Sequence, residues 1–298
     1  TILATTAPKY VVPAMNSHMF ANPATTRNLA QLVTDGMTVL DPATGMLAEG
    51  YVGHGRLPEP PEIVTWLTSQ LLAHETGLPL HGQRVLVTAG GTREMLDPVR
   101  YISNRSSGKM GYAIAKVARE MGAKVTLISA QTALTRPEGV TYIQVTTAAE
   151  MLSQVEQAFP TTDVLVMAAA VSDYRPAEMA AQKIKKQPND HGLTLQLTET
   201  TDILKKLAGQ KQAQFVIGFA AETQQLLSNA THKLTAKNLD LLVANDVSAP
   251  GVGFNGDTNQ VTLLSQHHAA VTTELLSKEA IARIVLETAI AQGAVGKA

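Results

Sequence analysis

The chain has 298 residues, 24 Lys+Arg against 25 Asp+Glu, and no cysteine. The length suits two domains of roughly 100 to 200 residues each, and the lack of Cys excludes a disulfide framework, Cys-ligated zinc or iron–sulfur sites and any thiol nucleophile. A formal net charge of -1 without a basic run argues against a nucleic-acid surface, and no apolar stretch approaches the ~20 residues of a membrane span.

The expectation is a soluble, cytoplasmic α/β protein with no nucleic-acid or membrane partner. Thr1 to Pro8 lacks the charged and apolar regions of a signal peptide, and the chain is expected to begin inside a domain. Tyr10-Val11-Val12 predicts a short strand, and Pro23 to Asp35 a helix with Leu29, Leu32 and Val33 on one face. Met37 to Leu40 reads as a strand and Gly45 to Gly55 as a Gly-rich loop. Pro58 to His74 opens with Pro and Glu, as a first helical turn does, and continues through Ile63, Leu67, Leu71 and Leu72. Residues 1–75 are taken as one segment and 76–82 as a linker, punctuated by Gly77, Pro79 and Gly82.

Residues 83–298 then alternate strand and helix. Arg84 to Ala89 is a buried strand ending at Gly90-Gly91. A long loop leads to Ser106-Ser107-Gly108-Lys109 and a helix from Met110 to Met121, which Gly122 stops. Strands follow at Val125 to Ser129, Tyr142 to Val145, Val164 to Ala168, Phe215 to Phe219 and Leu241 to Ala244. Helices are expected at Ala148 to Phe159, Thr223 to Lys237 and Lys278 to Ala291, with an added edge strand at Gln260 to Ser265. Such alternation predicts a doubly wound, Rossmann-like parallel sheet with right-handed crossovers.

Ligands of such sheets bind at the carboxyl ends of the strands. Gly90-Gly91-Thr92-Arg93, Ala168 to Asp173, Gly218 to Glu222 and Asn245-Asp246 stand there, and together they favour a nucleotide-sized pocket. A dinucleotide fingerprint is missing, because the next glycine after Gly91 is Gly108 and the second strand ends in Ser129-Ala130-Gln131 without an acid. Ser106 to Lys109 is not a Walker A loop either, since Ser103 and Met110 replace its Gly and its Ser or Thr. It can still seat a phosphate at a helix start. Lys183-Ile184-Lys185-Lys186 could be solvated surface or the cations that a nucleotidyl-transfer transition state needs. Lys233 and Lys237 share one helix face. The eight histidines show no metal spacing.

Residues Ala89 to Glu94 and Asp97 to Gly111 resemble the phosphopantothenate–cysteine ligase family. Ala168 to Tyr174, Lys183 to Lys186, Gly218 to Thr223 and Lys237 to Asp240 recur in the family's order, so the likeness spans about 82 to 298. Pro13-Ala14-Met15-Asn16-Ser17-His18-Met19 is similar to the substrate-clamp motif of phosphopantothenoylcysteine decarboxylase, the flavodoxin-like flavoprotein domain that precedes the ligase in the bifunctional family. The resemblance implies that the first half of that domain is absent here.

It also implies a reaction. Phosphopantothenate, CTP and Mg²⁺ give an acyl-cytidylate and pyrophosphate, and cysteine then displaces CMP to form the amide. Gly90, Gly91, Ser106, Ser107 and Gly108 would flank the nucleotide, and Met167, Ala168 and Ala169 would meet the base through backbone edges. Asp173 would help place Mg²⁺, Lys183 would contact the α-phosphate, and Thr201, Asp202, Ile203, Leu204 and Phe219 would complete the pocket. Lys233 and Lys237 would hold the phosphates, while Asn104 and Arg100 orient the acyl-cytidylate. Thr200-Thr201-Asp202-Ile203 departs mildly from the family's Asn-Pro-Asp-Ile.

The decarboxylase motif departs further. The family flap carries Cys before Gly-x-Gly-Arg, whereas this chain has Glu49 in Ala48-Glu49-Gly50. A carboxyl near ~4.3 is ionised at neutral pH, whereas a thiol near ~8.5 keeps its proton. Decarboxylation is therefore not expected of the chain, FMN would be held only with the missing half present, and Asn16 is the one matched decarboxylase residue. A homo-oligomer is implied, as a ligase dimer and a larger assembly through the flavoprotein domain. The competing readings are a nucleotide-cofactor oxidoreductase and a non-catalytic assembly subunit.

Overall fold

The computed structural model describes residues 5, 7–74, 77–185, 192–222, 233–246 and 256–295. The chain divides into two compact units, Thr1–His74 and Glu75–Ala298.

In the first unit, β1 (Tyr10–Val11) leads through Asn16 into the short helix α1 (Ser17–Phe20), followed by α2 (Pro23–Thr34). Asn22 caps α2 and Pro23 occupies its first turn, where a missing N–H costs nothing. β2 (Thr38–Val39) pairs in parallel with β1. The Gly-rich stretch expected to be a loop is instead an antiparallel hairpin of β3 (Ala43–Met46) and β4 (Val52–Arg56). Its glycines serve close packing: a Cβ on Gly55, whose φ is +132°, would lie 2.2 Å from the Met15 carbonyl oxygen. α3 (Pro60–His74) closes the unit, and its Trp66 meets Tyr10 edge to face at 5.7 Å.

The second unit is built on an eight-stranded sheet. β5 (Arg84–Ala89) ends at Gly90, and the expected long loop contains a small hairpin of β6 (Arg93–Met95) and β7 (Tyr101–Ser103). Then come α4 (Lys109–Glu120), β8 (Lys124–Ala130), β9 (Thr141–Val145), α5 (Ala148–Ala158) and β10 (Val164–Met167). β11 (Tyr174–Pro176) pairs with β12 (Leu197–Glu199) beside the sheet, and α6 (Ile203–Ala208) begins at the capping side chain of Asp202.

β13 (Phe215–Glu222) and β14 (Leu241–Asp246) extend the sheet. Of the helix expected at Thr223 to Lys237, 223–232 lie outside the described residues, and 233–236 are helical. β15 (Thr258–Asn259) precedes β16 (Val261–Leu264) and β17 (Val271–Thr272). β18 (Leu276–Ser277) pairs with β15, and α7 (Lys278–Ala289) follows.

The sheet order is β17-β16-β14-β13-β10-β5-β8-β9, parallel except for β16 and β17. β16 is therefore interior, and β17 is the edge. Strand residues alternate between two cores. Val85, Val87, Val164, Val166, Leu241 and Val243 face α4 and α7, whereas Leu86, Leu165 and Leu242 face α5, α6 and the segment carrying Leu234 and Leu239. The sheet is thus buried on both sides, as parallel sheets require. Strand order reverses between β5 and β10, and this switch point is where an open α/β sheet leaves a crevice.

Candidate functional site

A cavity of about 700 Å³ opens at the carboxyl ends of these strands in the second unit. Its walls are set by hydrogen bonds across the switch point. The Ala170 N–H donates to the Gly90 carbonyl at 2.8 Å, and the Ala169 N–H to Thr88 Oγ1 at 3.2 Å. The Ser172 N–H reaches Thr92 Oγ1 at 2.9 Å, and Asn104 Nδ2 donates to the Val171 carbonyl at 3.0 Å. The turn after β10 is therefore fixed against the turn after β5.

Glycine lets the phosphate-type turn approach equally closely. Gly108, at φ +77°, caps α4 without a side-chain hydrogen bond, and a Cβ there would meet the Thr132 methyl at 2.7 Å. One helical turn on, a Cβ at Gly111 would lie 2.8 Å from the Thr88 carbonyl oxygen. The start of α4 can sit on the end of β5 only with glycine at this contact.

Asn104, Ser106, Ser107, Gly108, Met167, Ala168, Ala169, Asp173, Thr201, Asp202, Ile203, Leu204, Phe219, Lys233 and Lys237 all line this cavity. Asp202 receives Lys237 Nζ at 2.9 Å and the Lys205 N–H at 3.1 Å. Burial would raise its carboxyl, but these donors outweigh burial and hold it below the usual range.

Gly90, Gly91, Arg100 and Lys183 stand outside the lining. Gly90 and Gly91 shape the turn beneath it: a Cβ on Gly91 would lie 2.9 Å from the Asn104 carbonyl oxygen. The Arg100 guanidinium donates to Asp97 Oδ2, at 2.9 and 2.6 Å, and to the Ile184 carbonyl at 2.6 Å. Asp97, fully buried, also accepts the Val99, Arg100 and Ile184 N–H groups. Burial pushes this carboxyl up, yet the guanidinium and the three amides carry it well below the usual carboxylate range. Arg100 is a tether for the segment at Ile184, which places the exposed Lys183 one residue beyond an anchored position. Lys186 lies outside the described residues.

Sequence reading missed Asn259 and Lys278, which line the same cavity, and named Asn245, which also lines it, by its strand-end position alone. Asn245 Oδ1 is buried without a hydrogen-bond partner among the described residues. Its place at the end of β14, in Asn245-Asp246, was the available signal. Among the described residues, no three His, Asp or Glu side chains gather into a metal cage. Asp173 stands as a carboxylate on the cavity wall.

In the first unit, Asn16 Oδ1 accepts the His18 N–H at 2.8 Å and Asn16 Nδ2 donates to Glu49 Oε1 at 2.9 Å. Ser17 Oγ donates to the His54 carbonyl at 2.8 Å. The clamp-like and flap-like motifs therefore meet through Asn16 and Glu49. The Asn16 amide lowers the Glu49 carboxyl, assisted by the backbone N–H of Glu49 itself. Glu49 is held as a carboxylate and is a poor proton donor.

Residues 80–292 match the family model of the DNA/pantothenate metabolism flavoprotein C-terminal domain, and residues 1–72 match the flavoprotein model. The coenzyme A biosynthesis bifunctional protein CoaBC of Bacillus subtilis (strain 168) is 49% identical over 264 residues, which cover 88% of this chain and 64% of that protein. CoaBC of Vibrio cholerae serotype O1 is 45% identical over 289 residues, 96% of this chain and 70% of that protein. This chain thus spans less than three quarters of the length of either relative. A solved C-terminal domain of a CoaBC protein is 41% identical with a TM-score of 0.62, covering 72% of this chain and 97% of that domain. Among the described residues, no helix is long and apolar enough to cross a membrane.

Proposed function

The chain belongs to the family of coenzyme A biosynthesis bifunctional proteins, and from that membership we propose that its larger unit is a CTP-dependent phosphopantothenate–cysteine ligase. The observation that carries this reading is the switch-point cavity, which gathers Asp173, Lys233, Lys237 and the Ser106 to Lys109 turn around one space.

The reaction needs two bond exchanges. A carboxylate oxygen of phosphopantothenate attacks the α-phosphorus of CTP, the bond to the bridging oxygen breaks, and pyrophosphate leaves. The amine of cysteine then attacks the acyl carbon, CMP departs with the acyl oxygen, and the nitrogen gives up its proton. Lys233 and Lys237 would neutralise phosphate charge, which grows on the leaving group as the first step proceeds. Lys183, extended from the anchor at Ile184, would meet the α-phosphate. Asn104, fixed through its Nδ2 to Val171, would orient the acyl group. Magnesium, placed with Asp173, supplies further neutralisation of the phosphates when bound.

The family's second activity, FMN-dependent decarboxylation, does not follow from the first unit as it stands. Asn16, Ser17 and Glu49 are engaged with one another or with backbone, and Glu49 is ionised. These residues by themselves do not fit a flavin seat with a proton donor, and no step is assigned to them. Self-association, with the ligase units pairing, belongs to the same reading. The cytoplasm, where all three substrates would be at hand, is its natural location.

The test is pyrophosphate release dependent on CTP, phosphopantothenate and Mg²⁺, with amide formation on adding cysteine. Lys183→Gln is expected to abolish turnover while the circular dichroism spectrum and melting midpoint stay at wild-type values. Normal pyrophosphate release and amide formation by that variant would overturn the role given to Lys183. Oxidation of a nicotinamide cofactor in place of pyrophosphate release would overturn the ligase reading itself.

A further inference from the structure

Two lysine side chains in the cavity carry no assigned contact in that reaction. Lys109 is the first residue of α4 and Lys278 the first of α7, and both side chains line the cavity. They come from the sheet face that packs α4 and α7, whereas Lys233 and Lys237 come from the face that packs α6, Leu234 and Leu239. The cavity is therefore flanked by a lysine pair on each side of the sheet. On one flank Lys237 is bound by Asp202, and on the other Lys109 is bound by Asp257 at 2.6 Å.

The second flank is the more unusual. Lys278 is only 7% exposed, and its Nζ donates to the Gly256 carbonyl. A buried ammonium is expensive without an anion close by. Burial first, then the neighbouring Lys109, push the Lys278 ammonium below its ordinary range, and Asp257 only partly opposes them. The Asp257 side chain is itself 89% exposed, so it surrenders a screened surface contact when it leaves. α4 and α7 run in the same direction, because Lys116 pairs with Glu279 and Glu120 with Arg283. Their amino ends, where helix dipoles favour negative charge, therefore point the same way toward the cavity.

We propose that Lys109 and Lys278 form a second anion seat in the cavity, occupied by a phosphate group of one of the phosphorylated substrates, with Asp257 as the counter-ion that this phosphate displaces. The proposal rests on the ligase reading for its supply of ligands, which are the terminal phosphates of the nucleotide and the phosphate ester of the acyl substrate. The two sources share one chemistry and are separated by experiment.

The whole chain is titrated calorimetrically at low salt with inorganic pyrophosphate and, separately, with phosphopantothenate. Lys278→Met is expected to weaken one of them about tenfold, the loss usual for a charge-assisted contact in a shielded site. Loss for pyrophosphate assigns the seat to the nucleotide's terminal phosphates, and loss for phosphopantothenate assigns it to the ester. Asp257→Asn, at an exposed position where folding is not at risk, is expected to tighten the same ligand by about threefold or more, because a competing carboxylate is gone. Tightening in this variant supports the seat even if Lys278→Met does not fold. Unchanged affinity for both ligands in a folded Lys278→Met protein, or weaker or unchanged binding by Asp257→Asn, overturns it. The pyrophosphate arm needs no turnover, so a chain that failed the CTP assay would sink the ligase reading and still report on the seat.

Discussion

Glu49 in the first unit and Asp97 in the second both sit below the usual carboxylate range, yet for opposite reasons. Glu49 is exposed and is lowered by one side-chain donor, Asn16, and by its own backbone. Asp97 is fully buried, and a guanidinium with three amides must first overcome the burial that raises it. Removing the donor from Glu49 returns a carboxylate to water, whereas removing one from Asp97 leaves a charge stranded in the interior. The same contrast runs through the units. Leu47 is the one buried hydrophobic residue among the described residues of the first unit, while the second has two cores along both faces of its sheet.

The largest test of this contrast is Phe159→Ala. Phe159 is 1% exposed in the core under α5, so its loss should cost roughly 3–5 kcal/mol in urea unfolding followed by circular dichroism. The fluorescence of Trp66, the single tryptophan, reports on the first unit and should not shift its midpoint. A shared shift in both signals would show that the units unfold as one.

Next comes acid. Because the folded carboxyl of Asp97 lies below its unfolded value, its stabilisation is complete above about pH 4 and is lost as pH falls toward the folded value. Asp97→Asn should flatten that acid limb of the stability curve and lower the midpoint at neutral pH. An unchanged acid limb would mean that the network around Arg100 is not what fixes the Lys183 segment.

The smallest effect is expected for Glu49→Gln. The amide keeps an oxygen for Asn16, so no measurable change in either unfolding signal should follow. A clear loss of Trp66 cooperativity would show that the Asn16–Glu49 contact holds the hairpin in place.

Much of the second unit was legible in the sequence. β5, β8, β10, β13 and β14 stood out because strands buried on both faces read as continuous apolar runs, and Gly122 marked the end of α4 through its positive φ. The two hairpins, β3–β4 and β6–β7, were not. Glycine and polar residues dominate β3–β4, and β6–β7 pairs three residues a side across a turn, so neither gives a clean alternation. The cavity residues at the strand ends could be named from position alone. Lys278 and the Asp97–Ile184 contact could not, because each depends on partners that the fold alone brings close: Ile184 lies 87 residues from Asp97. Arg100 could be named from a motif, but its bonds to Asp97 and to the Ile184 carbonyl could not, because the fold alone brings those groups together.

The parallel pairing of α4 with α7 also sets an order of events in time. Lys116 and Glu279 are 163 residues apart, so α4 can reach its strand early but cannot be covered until nearly the whole second unit has been threaded into place. Contacts of such span are slow to close. Until they do, the apolar side of α4 that α7 will cover stays wet, and Lys278 has no cavity to face. Competence to hold an anion on that flank should therefore arrive last in refolding, after the sheet has formed, and a ligand that favours the finished corner would draw the final docking step forward.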